Sequence, residues 1–248
     1  MSKQELVAWE QKMMEAAKES AKVETGGGNF ISIRGGVLQY LGQPVAGNNM
    51  NVIVIASGGE HTYYDQAFDP DRIIPPKCFS VFPLDERSPA PHETVKDKQS
   101  ESCAECWAHK FKSADNGRGR ACSVRRRLVV IPASALKDEN LTGAEVAMMK
   151  VPPTSVTNWS KYVNILSAQH QRPPFMVVTK VVVEPHPKWV FSVRFVVESL
   201  VDIENFPVLQ GMSESAQQFA LAPFDMTPPE EQKEPEKQLK GKKKTVRK

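Results

Sequence analysis

The sequence predicts a mainly β protein of α+β class, a sandwich or barrel of short strands that carries an inserted loop subdomain and peripheral helices. Short apolar runs of period two recur between residues 30 and 64, separated by Gly and Asn turns. A long stretch rich in proline then loses all periodicity, and every cysteine of the chain falls near it. Strands do not alternate regularly with helices, which argues against a parallel α/β sheet. A chain of 248 residues with 40% hydrophobic and 25% charged side chains can bury a sizeable core.

Residues 1–25 read as an N-terminal helix or arm. Leu6, Trp9, Met13 and Ala17 recur at helical spacing among Lys, Glu and Gln. That stripe suits a helix packed on its own domain or one docked on a neighbouring subunit, and the pattern leaves both open. Gly26-Gly27-Gly28 then makes a hinge. No Gly-Lys-Ser/Thr follows it, so it is not a phosphate loop.

The main domain is expected over residues 26–222. Ile31 and Ile33 alternate with Ser32 and Arg34, and Gly35-Gly36 precedes a second run from Val37 to Leu41. Gly47-Asn48-Asn49 is a turn, and residues 51–56 (NVIVIA) form a buried strand. Ser57-Gly58-Gly59 is expected to turn the chain into a short strand, His61 to Tyr64. Residues 70–124 form the insert, after which Arg125 to Ile131 enters the core as a strand from a basic edge. Pro152-Pro153 opens a helix whose apolar stripe is Val156, Trp159, Tyr162, Val163 and Leu166. Two strands turn at Pro185-His186-Pro187, the second with Trp189, Phe191, Val193, Phe195 and Val197 on its core face. A short helix follows from Ser213 to Leu221. Residues 223–248 have almost no apolar side chains and are expected to be a disordered charged tail.

Cys78, Cys103, Cys106 and Cys122 lie in or beside the one region without a core pattern. A Cys-x-x-Cys turn brings two sulfurs around one ion, and a structural metal would give this loop a reason to be ordered. One structural zinc ion is the expectation, preferred to an iron–sulfur cluster, with His92 and His109 as spare nitrogen ligands. No His-Glu-x-x-His or Gly-x-Ser-x-Gly occurs, so no catalytic residue is assigned.

The same region is strongly basic: Lys110, Lys112, Arg118, Arg120, Arg125, Arg126 and Arg127 face one acid, Asp115. Tyr63, Tyr64, Trp107 and Phe111 are interleaved with or lead into it. Cations for phosphates and aromatic faces for bases are the combination that holds single-stranded nucleic acid without sequence readout. These eleven residues are the expected contact set. No apolar run is long enough to span a membrane and no leader pattern opens the chain, so the cytoplasm is the expected compartment.

Taken together, Pro75-Pro76-Lys77-Cys78-Phe79-Ser80, the pair Cys103-Ala104-Glu105-Cys106, the basic run through Cys122 to Ile131, and Pro152-Pro153-Thr154-Ser155 resemble single-stranded DNA-binding proteins of tailed bacteriophages. The resemblance covers roughly residues 28 to 200 in the order of elements. It implies an OB-like barrel, a zinc subdomain inserted in it, and coating of single-stranded DNA during phage replication or recombination in the infected host. It also implies replication or recombination proteins as partners, while self-association through the N-terminal helix is an expectation of that helix's apolar stripe. The chain departs from the family in a tail that ends basic instead of acidic, and in offering four cysteines where a histidine often serves. The competing readings are a zinc or iron–sulfur nucleic-acid enzyme such as a nuclease, and a non-catalytic interaction or virion-assembly factor.

Overall fold

The computed structural model describes residues 29–66, 74–137 and 141–224, together with Met13 and Met226. The expected N-terminal arm, Met13 apart, and the charged tail beyond Met226 lie outside the described residues. Over the described residues, Met13 apart, the fold is mostly β: a curled mixed sheet of nine strands with two α-helices. The strands are β1 (Asn29–Arg34), β2 (Val37–Tyr40), β3 (Gln43–Pro44), β4 (Asn49–Tyr63), β5 (Cys78–Phe82), β6 (Ser123–Pro132), β7 (Ala147–Val151), β8 (Val177–Pro185) and β9 (Phe191–Leu200). The helices are α1 (Val156–Ile165) and α2 (Phe206–Ala220). The order across the sheet is β3-β2-β1-β7-β6-β4-β8-β9, with β5 also paired to β4. Every pairing is antiparallel except that of β1 with β7.

Strand β4 is the axis of the sheet. Its first half pairs with β8 and its second half with β5, while β6 runs along the other side of both. The uninterrupted apolar run of β4 follows from burial on two faces. Val52 and Val54 enter one core with Leu128, Val130, Met149 and Val181. Ile53 and Ile55 enter a second core with Val129, Ile131 and Leu209. Each such side chain contributes roughly 1.5–3 kcal/mol by leaving water.

The expected turn at Ser57-Gly58-Gly59 is not there, because β4 runs straight through it. These glycines answer to packing. A Cβ on Gly58 would stand 3.1 Å from the carbonyl oxygen of Ala220 at the end of α2, and one on Gly59 would stand 2.3 Å from the Phe82 ring. Glycine inside a strand often marks such a close approach.

Helix α1 packs Trp159 and Tyr162 into the first core, and Leu166 follows in a π-helical turn, as the stripe predicts. The Trp159 and Phe195 rings meet edge to face with centroids 5.0 Å apart. Tyr162 Oη and Thr179 Oγ1 share a hydrogen bond of 2.6 Å, so the buried phenol tip is satisfied. Helix α2 starts well before Ser213, with Pro207 in its first turn, and covers the second core with Leu209, Ala216 and Ala220.

Asn48 holds the curl. It adopts φ 56°, a left-handed conformation that Asn tolerates. Its Nδ2 donates to the carbonyls of Gly36 and Val183, both at 2.8 Å, and its Oδ1 accepts from the amide of Leu38. One side chain thus ties the β1–β2 hairpin to β8, near the far end of the sheet.

Candidate nucleic-acid interface

The parallel pair β1–β7 is short, and that shortness opens a groove. Register holds only from Asn29 to Ile31 against Ala147 to Met149, after which Ser32 to Arg34 part from β7. Lys150 and Val151 continue on β7 paired with β6 alone. The strands splay, and the space between them is an open groove of about 930 Å³. Arg34, Arg125 and Lys150 line it from three different strands, with Phe30 and Phe191 among the apolar lining. Phe30 is 49% exposed.

Arg34 ends β1 where Gly35 and Gly36 turn the hairpin with φ of 57° and 81°, conformations costly for any residue with a Cβ. Lys150 projects on the same sheet face as Glu60 and Arg127, as the register requires. Its ammonium stands 3.1 Å from Glu60 Oε2 and 4.4 Å from the centre of the Phe224 ring. Burial holds the Lys150 pKa below the usual lysine value against the opposing pull of Glu60.

The contact residues expected from the sequence divide into three groups. Arg125 lines the groove, and its charge also reaches Tyr64, which is exposed. Lys110, Phe111, Lys112, Arg118 and Arg120 are exposed on the loop that leads into β6. That loop is closed by its own hydrogen bonds: Lys112 N–H donates to Gly119 O, and Ser113 Oγ donates to Ala108 O while accepting from the Ala121 amide. Trp107 is 45% exposed and stands edge-on to the half-buried Tyr63 at 5.4 Å.

Arg126 and Arg127 form the third group, turned toward the protein. Arg126 sits on the sheet face of His61, is half-buried, and has its pKa lowered by desolvation. Arg127 is 3% exposed. Its Nε donates to Glu60 Oε2 at 2.6 Å, and its Nη1 donates to the carbonyls of Ala220 and Ala222. A guanidinium so enclosed is an internal ion that anchors the end of α2, not a surface contact.

Sequence reasoning missed Phe30, Arg34, Lys150 and Phe191. Each is an isolated residue in an ordinary strand pattern, and only the splaying of β1 from β7 brings them together. Trp189, expected on the core face of β9, lies outside that strand, is 52% exposed, and stacks near His186 with centroids 6.4 Å apart.

The expected zinc or iron–sulfur site at Cys78, Cys103, Cys106 and Cys122 is overturned. Among the described residues, no group of three or more His, Cys, Asp or Glu side chains is arranged to hold a metal ion. All four are free thiols bordering one small void of about 20 Å³, which His61, Phe79 and Ala108 also line. Burial pushes the Cys103 thiol up to about 11 and the Cys122 thiol up to about 12, with Cys78 raised in the same sense. They act there as small apolar side chains joining β5, the loop and β6.

The chain matches no protein-family model, no curated protein and no solved structure. Among the described residues no helix is long and apolar enough to cross a membrane.

Proposed function

We propose that this protein binds single-stranded DNA without sequence preference and without catalysing a reaction, using the curled sheet as an OB-like platform. The observation that carries the reading is the groove between β1 and β7, where Arg34, Arg125 and Lys150 converge beside the exposed ring of Phe30. Phosphates pair with the three cations while bases stack on aromatic faces, and every base offers such a face. Tyr64 and Arg125 connect the groove to the basic loop, so the strand continues past Trp107 and Phe111 toward Lys110, Lys112, Arg118 and Arg120. We read replication or recombination as the setting of this activity, on the resemblance of the sequence to phage single-stranded DNA-binding proteins.

The test is fluorescence anisotropy with labelled oligo-dT, oligo-dA and a duplex across a salt series. Binding that favours the single strands, differs little between dT and dA, and weakens steeply with salt supports the reading. Absence of binding at low salt, or a preference for duplex, overturns it.

A further inference from the structure

A second surface of the molecule has no place in that reading. Beside α2 an open groove of about 550 Å³ is lined by Ile55, Val146, Pro207, Val208, Met212 and Phe219. Val208 is 40% and Phe219 51% exposed, so large apolar side chains face outward along this helix. Gly211 lies in the middle of it, and a Cβ there would meet nothing within 4 Å. The missing side chain lets another helix approach the backbone closely.

The chain itself offers a matching occupant. Leu6, Trp9, Met13 and Ala17 form one apolar stripe in a segment that is otherwise charged and polar. That segment joins the sheet at Asn29, whose register partner is Ala147, one residue from the groove-lining Val146. The chain therefore enters the sheet at the edge of the groove, and Gly26-Gly27-Gly28 immediately precede that point in sequence. Met13 is helical and 62% exposed, so its side chain is not buried against its own chain.

We propose that the groove beside α2 receives the N-terminal helix of a second copy of this chain. Because departure point and receiving groove adjoin on one molecule, two copies exchange their helices reciprocally about a two-fold axis, and the contact closes as a dimer. Gly26-Gly27-Gly28 carry no side chain that would hinder such a crossing. The exchange uses none of the residues that line the β1–β7 groove.

Light scattering coupled to size-exclusion chromatography tests this on the full chain, followed over dilution. The expected mass is that of two chains, falling to one chain in Trp9→Asp and also in Val208→Asp, with far-UV circular dichroism unchanged. Phe219→Ser, at a half-exposed position, repeats the groove arm should Val208→Asp fail to fold. A full chain of single mass overturns the proposal, because a helix docked on its own groove gives that result. A dimer that survives both the Trp9 and the groove substitutions overturns it too. DNA binding is measured on the same samples; retention by the single-mass variants keeps the two readings separate.

Discussion

Glu60 is fully buried and is held by Arg127 Nε at 2.6 Å and Lys150 Nζ at 3.1 Å. Removing one member of a buried ionic group leaves its partners charged in a poorly solvating place, at about 3–5 kcal/mol. Glu60→Gln is therefore expected to lower stability by that order, read as a fall in the urea midpoint with an unchanged m-value. A shift below about 1 kcal/mol would show that the cations find solvent without it. The next residue along β4, His61, points to the opposite face and has its pKa lowered to about 4, chiefly by burial and then by the charges of His109, Arg126 and Arg120. The unfolded chain takes up this proton near pH 6.5 and the folded one only near 4, so between those values the unfolded state binds more protons. The contribution is whole above pH 6.5, declines as the pH falls toward 4, and amounts to about 3 kcal/mol at most. His109 shifts in the same direction. Urea midpoints measured from pH 7 to pH 4.5 should fall, and His61→Gln should flatten that fall; an equally steep decline in the variant would assign it to other groups.

At the scale of the elements, legibility depended on whether a pattern had one cause. The stripe of α1 was readable because Trp159, Tyr162 and Leu166 answer only to the core they enter. Strand β6 was readable for the same reason, although its Arg127 was not: a cation in a basic run looks like surface until Glu60 appears opposite. Gly58 and Gly59 misled because glycine serves both turns and close packing, and the partners that decide between them, Ala220 and Phe82, are distant in sequence. The cysteines misled in a similar way, since Cys-x-x-Cys spacing suits a ligand pair and small buried side chains alike. The Gly59 case can be checked. Gly59→Ala drives a methyl into the Phe82 ring, which also packs edge-on against His61 with centroids 4.9 Å apart. Overpacking of this kind costs about 1–3 kcal/mol, expected as a lowered thermal midpoint. Adding Phe82→Leu should recover part of the loss. If the double variant is no better than the single, the strain lies in the backbone and not against the ring.

For the whole molecule, the way the strands pair divides the sheet into a closed part and an open one. Where β4 stays paired along β6 and β8, both faces close over cores; where β1 leaves β7 after Ile31, the same sheet opens into a charged and aromatic groove. If that opening holds a DNA strand, its cations and its rings must make separable contributions. Each phosphate neutralised on a single strand adds about 0.7 to the salt slope of log affinity, whereas a stacked base adds about 1–3 kcal/mol that salt does not screen. Arg34→Ala should therefore make the slope shallower by about 0.7, and Phe30→Ala should weaken binding at every salt concentration with the slope retained. Both side chains are exposed at a strand already held by β2, so neither change threatens the cores. Anisotropy titrations of the two variants against oligo-dT over the same salt series make the comparison. Parallel losses in slope would mean that Phe30 acts through the position of Arg34 and not through a base. Unchanged binding in both, with a loss in Trp107→Ala or Phe111→Ala, would move the contact from the groove to the basic loop.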